Sequence, residues 1–146
     1  MVVVAKPPRR VLFLCTHNSA RSQMAEGLLS EYGGADFAAF SAGTVATEVR
    51  TEAIAVMREL GIDIAPQTSK AVEAFLGESF AEVITVCDEA AAACPVFPGG
   101  SRRQHWPIAD PSRVRGSQAE RLAAFRSTRD ELRRRIEQEL LPFGEP

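Results

Sequence analysis

Apolar residues along this chain form two patterns, short continuous runs and stripes at helical spacing. Continuous runs predict strands that are covered on both faces, and apolar residues that recur every three to four positions predict helices. The predicted strands are residues 11–14, 37–41, 81–86 and 104–108. The predicted helices are residues 22–32 and 49–60, a short helix capped by Thr68 or Ser69 that ends at Phe75, and residues 117–140.

Three further patterns complete this prediction. Pro107 cannot donate a hydrogen bond to a sheet ladder, so the strand that contains it is expected at an edge. The alanine-rich residues 88–93 predict one or two helical turns, and residues 95–104 predict a loop. The last helix should bury an apolar stripe and carry pairs of opposite charge, four residues apart, on its solvent-exposed face. The stripe is Phe125, Leu132, Ile136 and Leu140, and the pairs are Asp130 with Arg134 and Glu131 with Arg135.

Strands that alternate with helices predict an α/β fold, with a four-stranded parallel sheet flanked by helices on both faces. The 146 residues fit one domain, residues 1–146, in which residues 1–8 form a flexible extension. Ligands of such sheets bind beyond the carboxyl ends of the strands. Cys15, Cys87 and Asp110 all come at or just after a predicted strand end. The sequence therefore predicts an active site at that edge.

Composition and charge narrow the classes of function. The net charge of -2 argues against bulk binding of nucleic acid. No apolar run approaches the length of a membrane span, and the N-terminus lacks the pattern of a signal peptide. We therefore expect the protein in the cytoplasm, without a membrane partner. In that compartment three cysteines favour catalytic, redox or metal-binding roles over a structural disulfide set.

The segment from Cys15 to Ser22 has the chemistry of an oxyanion-binding loop. Backbone N–H groups of a short loop can form an anion nest, and the following helix N-terminus adds partial positive charge. Both favour a thiolate at Cys15, and the fork of Arg21 matches two oxygens of an oxyanion. The alternative is a buried strand-end cysteine beside an ordinary surface arginine. The predicted oxyanion-binding residues are Thr16, His17, Asn18, Ser19, Ala20, Arg21 and Ser22, with the His17 side chain directed to solvent.

Residues 15–27 resemble the signature of the thioredoxin-coupled arsenate reductases, which share the fold of the low-molecular-weight protein tyrosine phosphatases. The resemblance continues in residues 41–44, 61–64, 86–88, 94–95, 105–106 and 110–111, and so spans nearly the whole chain. The opening loop and the Asp110-Pro111 pair are shared with the phosphatases. Cys87 and Cys94 are the part of the resemblance that is specific to reductases.

The resemblance implies reduction of arsenate to arsenite in arsenical resistance, by a monomer whose partners are arsenate and thioredoxin. Cys15 attacks arsenic while Asp110, held protonated, gives a proton to the leaving oxygen. Cys87 then attacks the Cys15 adduct and releases arsenite. Cys94 attacks Cys87 and leaves a disulfide for thioredoxin, the electron donor. If residues 88–93 are helical, they must bend or unwind to let this disulfide form.

The resemblance also concerns a cation. Some members of the family bind a potassium ion near the residues that match Asn18, Glu26, Ser41 and Thr68. An acidic residue usually completes that site, and Lys70 stands in its place. We therefore expect the Lys70 ammonium to substitute for the ion, and we expect no bound potassium and no other cofactor.

Four alternatives stay open. A low-molecular-weight protein tyrosine phosphatase would use Cys15, Arg21 and Asp110 through a phosphocysteine, although few aromatic residues are present to hold a phenol ring. A reductase coupled to a low-molecular-weight thiol would not need Cys94. The three cysteines could bind arsenite or zinc without turnover, although their spacing matches no common zinc pattern. Cys87 and Cys94 could also be small buried hydrophobes.

Overall fold

The structure is a computed structural model that describes residues 7–87 and 97–141. The strands are β1 (Arg9–Cys15), β2 (Phe37–Gly43), β3 (Phe80–Thr85) and β4 (Gly100–His105). The α-helices are α1 (Arg21–Gly33), α2 (Thr51–Arg58) and α3 (Gln118–Glu139). Short 3-10 helices lie in the connections, at Gly34–Asp36, Val72–Phe75 and Pro111–Arg113.

The four strands form one parallel sheet in the order β2-β1-β3-β4. This order confirms the predicted four-stranded parallel sheet and puts β4 at an edge, as predicted. The apolar run of β1 reflects its central position, because Val11 and Leu14 have no exposed surface on either face. Register pairs Cys15 with Gly43 of β2, so the cysteine lies at the carboxyl edge of the sheet.

The two faces of the sheet are covered by different elements. On one face α1, α2 and α3 pack with Val11 and Phe13 into a single apolar cluster. On the other face Leu12 and Leu14 pack with aromatic residues that include Phe75, at the end of the 3-10 helix Val72–Phe75. The prediction of helices on both faces is confirmed. Within the described residues, a 3-10 helix rather than an α-helix serves the second face.

The position of β4 was predicted wrongly. The apolar pattern placed this strand at residues 104–108 and a loop at residues 95–104, whereas the strand is Gly100–His105. Most side chains of β4 are exposed and polar, because an edge strand needs little apolar surface. Its pairing with β3 defines it instead. Pro107 lies beyond the strand, where its missing N–H costs no ladder bond.

The predicted cap at Thr68 or Ser69 is also wrong. The 3-10 helix begins at Val72, and no side chain caps it. Ser69 instead accepts a hydrogen bond from the N–H of Thr47 at 2.8 Å and donates one to the carbonyl oxygen of His17 at 3.2 Å. The polar groups of this segment are used to hold a neighbouring loop rather than to start a helix.

The long C-terminal helix agrees with its prediction. Ser117 is the N-cap residue, and it forms a reciprocal capping box with Glu120. Such caps satisfy the first N–H groups of a helix. The predicted stripe is buried in the apolar cluster that α3 shares with α1 and α2, at Phe125, Leu132, Ile136 and Leu140.

One of the two predicted charge pairs on α3 forms. Arg135 lies 3.4 Å from Glu131. Asp130 instead contacts Arg129 at 2.8 Å, and Arg134 contacts Glu131 at 2.6 Å. The reason is that Arg129 is almost fully buried and its cation needs carboxylate partners, so it draws Asp130 away from Arg134.

Some predictions fall on residues outside the described ones. These are most of the flexible extension, the helical turns at residues 88–93, and Cys94. Residues 7 and 8 are exposed and precede β1. The single domain of residues 1–146 stays a prediction. Between residues 7 and 87 and between 97 and 141, no helix has both the length and the apolar character needed to cross a membrane.

Candidate active site

The loop of residues 16–20 joins the carboxyl end of β1 to the start of α1. Its carbonyl oxygens are held from outside the loop. The oxygen of Ser19 accepts from the N–H of Arg50 at 2.9 Å, and that of His17 accepts from the hydroxyl of Ser69 at 3.2 Å. Within the described part of the chain, the N–H groups of residues 17–20 donate to no protein acceptor. N–H groups of a short loop that have no protein acceptor can bind an anion as a nest.

Asn18 gives the loop its shape. Its φ of 50° lies in the left-handed region, which asparagine tolerates better than most residues. The side chain is fully buried, and its Oδ1 accepts from the backbone N–H of Lys70 at 2.8 Å. Because a backbone N–H can only donate, this bond fixes the orientation of the amide. Nδ2 therefore faces Ser22 and donates to its Oγ at 2.8 Å.

Ser22 connects this support to the cysteine. Its Oγ lies 2.7 Å from the Sγ of Cys15, and both side chains are buried. The oxygen of Ser22 already accepts from Asn18, so its own proton is free to point at the sulfur. This contact holds the sulfur of Cys15 in a fixed position beside Ser22. That Asn18 binds the oxyanion as part of the loop stays a prediction, and its side chain contacts Ser22, which contacts the sulfur of Cys15.

Gln23 supports the loop as well, although its sequence position alone did not predict a role for it. Its Nε2 donates to Oδ1 of Asn18 and to the carbonyl oxygen of Thr68, each at 2.9 Å. Its Oε1 accepts from Gln67 at 2.7 Å. A fully buried glutamine needs such partners. A polar amide beside the apolar stripe of a predicted helix is the signal by which it could have been found.

Arg21, the first residue of α1, has a buried guanidinium that is held in place. Its NH1 donates to the carbonyl oxygen of Ile108 at 2.9 Å. Its NH2 lies 3.7 Å from Oδ2 of Asp110. These contacts fix the plane of the guanidinium beside the loop before an anion binds. The structure thus brings Arg21 and Asp110 together, although the two residues are far apart in the sequence.

Asp110 is ionised in this arrangement. Burial raises the pKa of its carboxyl, but two hydrogen bonds from Ser112 and the charges of Arg21 and Arg113 outweigh burial and leave the pKa below its ordinary value. The N–H and Oγ of Ser112 donate to Oδ1 at 3.0 and 2.7 Å. The expectation of an acid that is held protonated is therefore wrong for the ligand-free protein. The physical reason is that the carboxylate is hydrogen-bonded and lies beside a cation.

Cys87 follows β3 and lies at the same sheet edge as Cys15. Its Sγ is 3.9 Å from the carbonyl oxygen of Leu14, the residue before Cys15. Cys87 is disulfide-bonded, whereas Cys15 is a free thiol. Two of the three predicted thiols are therefore near one another, and Cys94 lies outside the described residues.

A cavity of about 480 Å³ opens beside the loop. His17 and Ser19 line it from the loop, and Asp110 lines it from the segment after β4. The His17 side chain is exposed, as expected, but it also forms part of this wall. Glu48 and Glu52 lie on the side formed by the start of α2.

Gly43 permits the close approach of β2 to the loop. A Cβ at this position would lie 2.7 Å from the nitrogen of Asn18 and 2.9 Å from the carbonyl oxygen of Cys15. These are backbone atoms, which cannot rotate away. We expect Gly43→Ala to displace the loop, at a cost of about 1–3 kcal/mol in stability. We also expect sulfate affinity to fall by at least about tenfold, as measured by calorimetry.

Gly33→Ala is the matched control for this prediction. A Cβ at Gly33 meets only side-chain atoms, of Phe37 and Leu29, at 2.8 and 3.1 Å. Those side chains can yield, so this variant should lose some stability and keep its sulfate affinity. Sulfate affinity that is unchanged in Gly43→Ala contradicts the prediction.

Comparison with known proteins adds an independent observation. The family model for "Low molecular weight phosphotyrosine protein phosphatase" matches residues 10–142. An arsenate reductase of Halalkalibacterium halodurans is 43% identical over 126 residues, which cover 86% of this chain and 91% of that protein. A solved arsenate reductase in the reduced state has a TM-score of 0.76 at 32% identity and covers 92% of this chain and 98% of its own. A thioredoxin-dependent arsenate reductase of Corynebacterium glutamicum has a TM-score of 0.61 at 28% identity, covering 92% of this chain and 65% of that chain.

Proposed function

This chain belongs to the low molecular weight phosphotyrosine protein phosphatase family and, within it, to the arsenate reductases, and we propose that it reduces arsenate to arsenite. One observation carries the proposal most directly. A free thiol at Cys15 lies in an anion nest, and a disulfide-bonded Cys87 lies at the same sheet edge. A phosphatase needs only the nucleophile, the nest and an acid. A second redox-active cysteine is what reduction requires in addition.

In the first step the Cys15 thiolate attacks the arsenic of arsenate. The N–H groups of residues 17–20 and the guanidinium of Arg21 hold the oxyanion. One arsenic–oxygen bond breaks, a sulfur–arsenic bond forms, and water leaves with a proton from Asp110. The bound dianion competes with Asp110 for the charge of Arg21, and this favours the protonated carboxyl. Binding of the substrate therefore favours protonation of Asp110, the proton donor.

In the second step the Cys87 thiolate attacks the sulfur of Cys15. The electron pair of the sulfur–arsenic bond passes to arsenic, which goes from pentavalent to trivalent and leaves as arsenite. The two sulfurs become a Cys15–Cys87 disulfide. Cys94 then attacks Cys87, frees the Cys15 thiolate and leaves a Cys87–Cys94 disulfide. A protein in which Cys15 is free while Cys87 is disulfide-bonded supports this last state.

We propose that thioredoxin supplies the two electrons that reduce this disulfide. The similarity to a thioredoxin-dependent arsenate reductase supports this choice of donor. The cycle needs reduced thiols, so we place it in the cytoplasm, where thioredoxin and glutathione keep cysteines reduced. Arsenical resistance is the biological role that follows. The monomeric state stays a prediction.

The test is arsenate-dependent oxidation of NADPH with thioredoxin and thioredoxin reductase supplied. We expect NADPH oxidation that depends on arsenate, on thioredoxin and on thioredoxin reductase. No turnover, with hydrolysis of p-nitrophenyl phosphate intact, would contradict the proposal and favour a phosphatase, the activity in the name of the family model. Turnover with a low-molecular-weight thiol but not with thioredoxin would favour the thiol-coupled reductase.

We further propose that the ammonium of Lys70 takes the place of the potassium ion that some family members bind. Its Nζ lies 3.9 Å from Oε1 of Glu26 and donates to the carbonyl oxygen of Thr68. The hydroxyl of Ser41 donates to the same Glu26 oxygen at 2.5 Å. Burial raises the pKa of Glu26, and the bond from Ser41 and the charge of Lys70 offset only part of this effect. Because these oxygens already hold a cation, the residues do not fit an additional potassium ion.

Replacing Lys70 by methionine should expose the need for a cation at this position. Glu26 would keep its burial and lose its ammonium partner, at a cost of about 1–3 kcal/mol. We expect a lower melting temperature in choline chloride and partial recovery in potassium chloride of equal ionic strength. The parent protein should melt at the same temperature in both salts. A Lys70→Met variant that is as stable as the parent in choline chloride contradicts the proposal.

A further inference from the structure

A second cavity, of about 630 Å³, adjoins the catalytic one. The start of α2, the segment after Asp110 and the first turns of α3 enclose it. Arg50, Glu52 and Ser112 line both cavities. Ser112 is also the residue that hydrogen-bonds Asp110. The two cavities therefore share the wall that carries the candidate acid.

Guanidinium groups without carboxylate partners line this second cavity. Arg50, Arg115 and Arg121 belong to its lining, and none of them forms an ion pair within the described part of the chain. Most other arginines of that part do, as Arg126 does with Glu59 at 2.7 Å. The chain has 19 acidic residues against 17 basic ones. A shortage of carboxylates therefore does not explain why these arginines are unpaired.

Arg121 shows a donor that lacks an acceptor. Its NH2 donates to Gln118, but its Nε is buried and has no hydrogen-bond partner in the described structure. A buried donor that is left unsatisfied costs about 1–3 kcal/mol. Because this Nε has almost no accessible surface, a ligand in the cavity would meet the other guanidinium nitrogens of Arg121.

The charge balance of the lining favours an anion. Glu52 is 9% exposed, and its nearest hydrogen-bond partner is the hydroxyl of Thr51 at 3.4 Å. Its negative charge is set against the positive charges of Arg50, Arg115 and Arg121. Three positive charges and one negative charge leave a local charge of +2. Arg113 also lines the cavity, but it has an interaction of its own and is not counted. Guanidinium forks match the oxygens of a compact oxyanion better than those of a neutral ligand.

We propose that this cavity is a second binding site for a doubly charged tetrahedral oxyanion, namely sulfate, phosphate or arsenate. Arg115 and Arg121 hold the ion, and Arg50 lies at the boundary with the catalytic cavity. Under the proposed function, ions of this class also bind at Cys15. The second site then concentrates them at the mouth of the first. Binding at the second site does not itself require that the protein reduce arsenate.

Iodoacetate separates the two sites. In the oxidised protein Cys15 is free and Cys87 is disulfide-bonded, so the reagent should carboxymethylate Cys15 and block the loop with a carboxylate. Mass spectrometry confirms a single modification. Equilibrium dialysis with labelled sulfate should then give about two sulfates per untreated chain and about one per treated chain. A treated chain that binds no sulfate overturns the proposal.

Single variants of the treated protein locate the remaining sulfate. We expect Arg115→Gln and Arg121→Gln each to weaken its binding by at least about tenfold. Arg103→Gln on β4 is the matched control, because Arg103 is exposed and also forms no ion pair within the described residues. Unchanged binding in both cavity variants, or equal weakening in Arg103→Gln, overturns the proposal.

Two further controls keep the outcomes distinct. Circular dichroism and the melting temperature report whether Arg121→Gln folds, and the exposed Arg115 carries the test if it does not. A parent protein that binds the second sulfate but does not turn over arsenate supports the site and contradicts the proposed function. A parent protein that turns over arsenate but binds no second sulfate supports the proposed function and contradicts the second site.

Discussion

Replacing Cys15 by serine is expected to abolish arsenate reduction, with a loss in kcat of more than about a thousandfold. A serine hydroxyl is the weaker nucleophile, and it cannot form the disulfide with Cys87 whose formation supplies the two electrons that reduce arsenic. The N–H groups of residues 17–20 and Arg21 remain in this variant. We therefore expect sulfate to bind with nearly the affinity of the parent. Arsenite formation is measured by mass spectrometry after chromatography.

Cys94→Ser is the matched control for that result. In the proposed cycle this variant keeps Cys15 and Cys87 and loses only the last exchange. A reduced sample should therefore release about one arsenite per chain and stop with a Cys15–Cys87 disulfide, which peptide mapping detects. Arsenite production by Cys15→Ser at the same stoichiometry contradicts the assignment of the nucleophile.

Asp110→Asn is expected to lower kcat by about 10²–10⁴-fold, the range for loss of a positioned proton donor. The amide has nearly the shape of the carboxyl and keeps an oxygen that can accept from Ser112. It has no proton to give to the leaving oxygen at neutral pH. It also removes the negative charge that lies 3.7 Å from the NH2 of Arg21. Oxyanion affinity should therefore rise while kcat falls.

In Asp110→Asn the oxyanion affinity is expected to rise while kcat falls, and these opposite changes distinguish loss of the acid from damage to the fold. Damage to the fold would weaken binding and turnover together, so sulfate affinity measured beside kcat separates the two causes. Weaker sulfate binding in Asp110→Asn contradicts the prediction. A kcat equal to that of the parent removes Asp110 from the mechanism.

The same substitution has a pH signature in stability. The pKa of Asp110 is lower in the folded protein than its ordinary value, chiefly because the hydrogen bonds from Ser112 outweigh the effect of burial. A lowered pKa stabilises the fold above the ordinary value of about 3.9, and this contribution is lost as the pH falls through the folded value. The advantage of the parent over Asp110→Asn should therefore shrink between pH 7 and strongly acidic pH in urea unfolding.

The sequence predicted well those features whose causes lie close together in the chain. The apolar run of β1, the small polar loop after Cys15 and the helical spacing of α1 each follow from neighbouring residues. The capping box and buried stripe of α3 are local in the same sense. Parallel pairing then follows from the alternation of strands and helices.

The features that were missed depend on distant contacts or on charge. β4 is defined by pairing with β3, because its exposed polar residues carry no apolar pattern. The buried amides of Asn18 and Gln23 bond to residues 67–70, about one third of the chain away. Spacing along the sequence does not reveal such contacts. The lowered pKa of Asp110 comes chiefly from Ser112, and the further contribution of Arg21 depends on a contact that only the folded chain supplies.

Lys70 acts on the loop and on Glu26 through different atoms. Its backbone N–H donates to Asn18 at 2.8 Å, and its carbonyl oxygen accepts from Gly43 at 2.9 Å. Its side chain alone reaches Glu26. Evolution can therefore exchange this side chain without disturbing the nucleophile. If Lys70 takes the place of a cation as proposed, a substitution at this single position changes the cation requirement of Glu26 and leaves the backbone contacts of the loop in place.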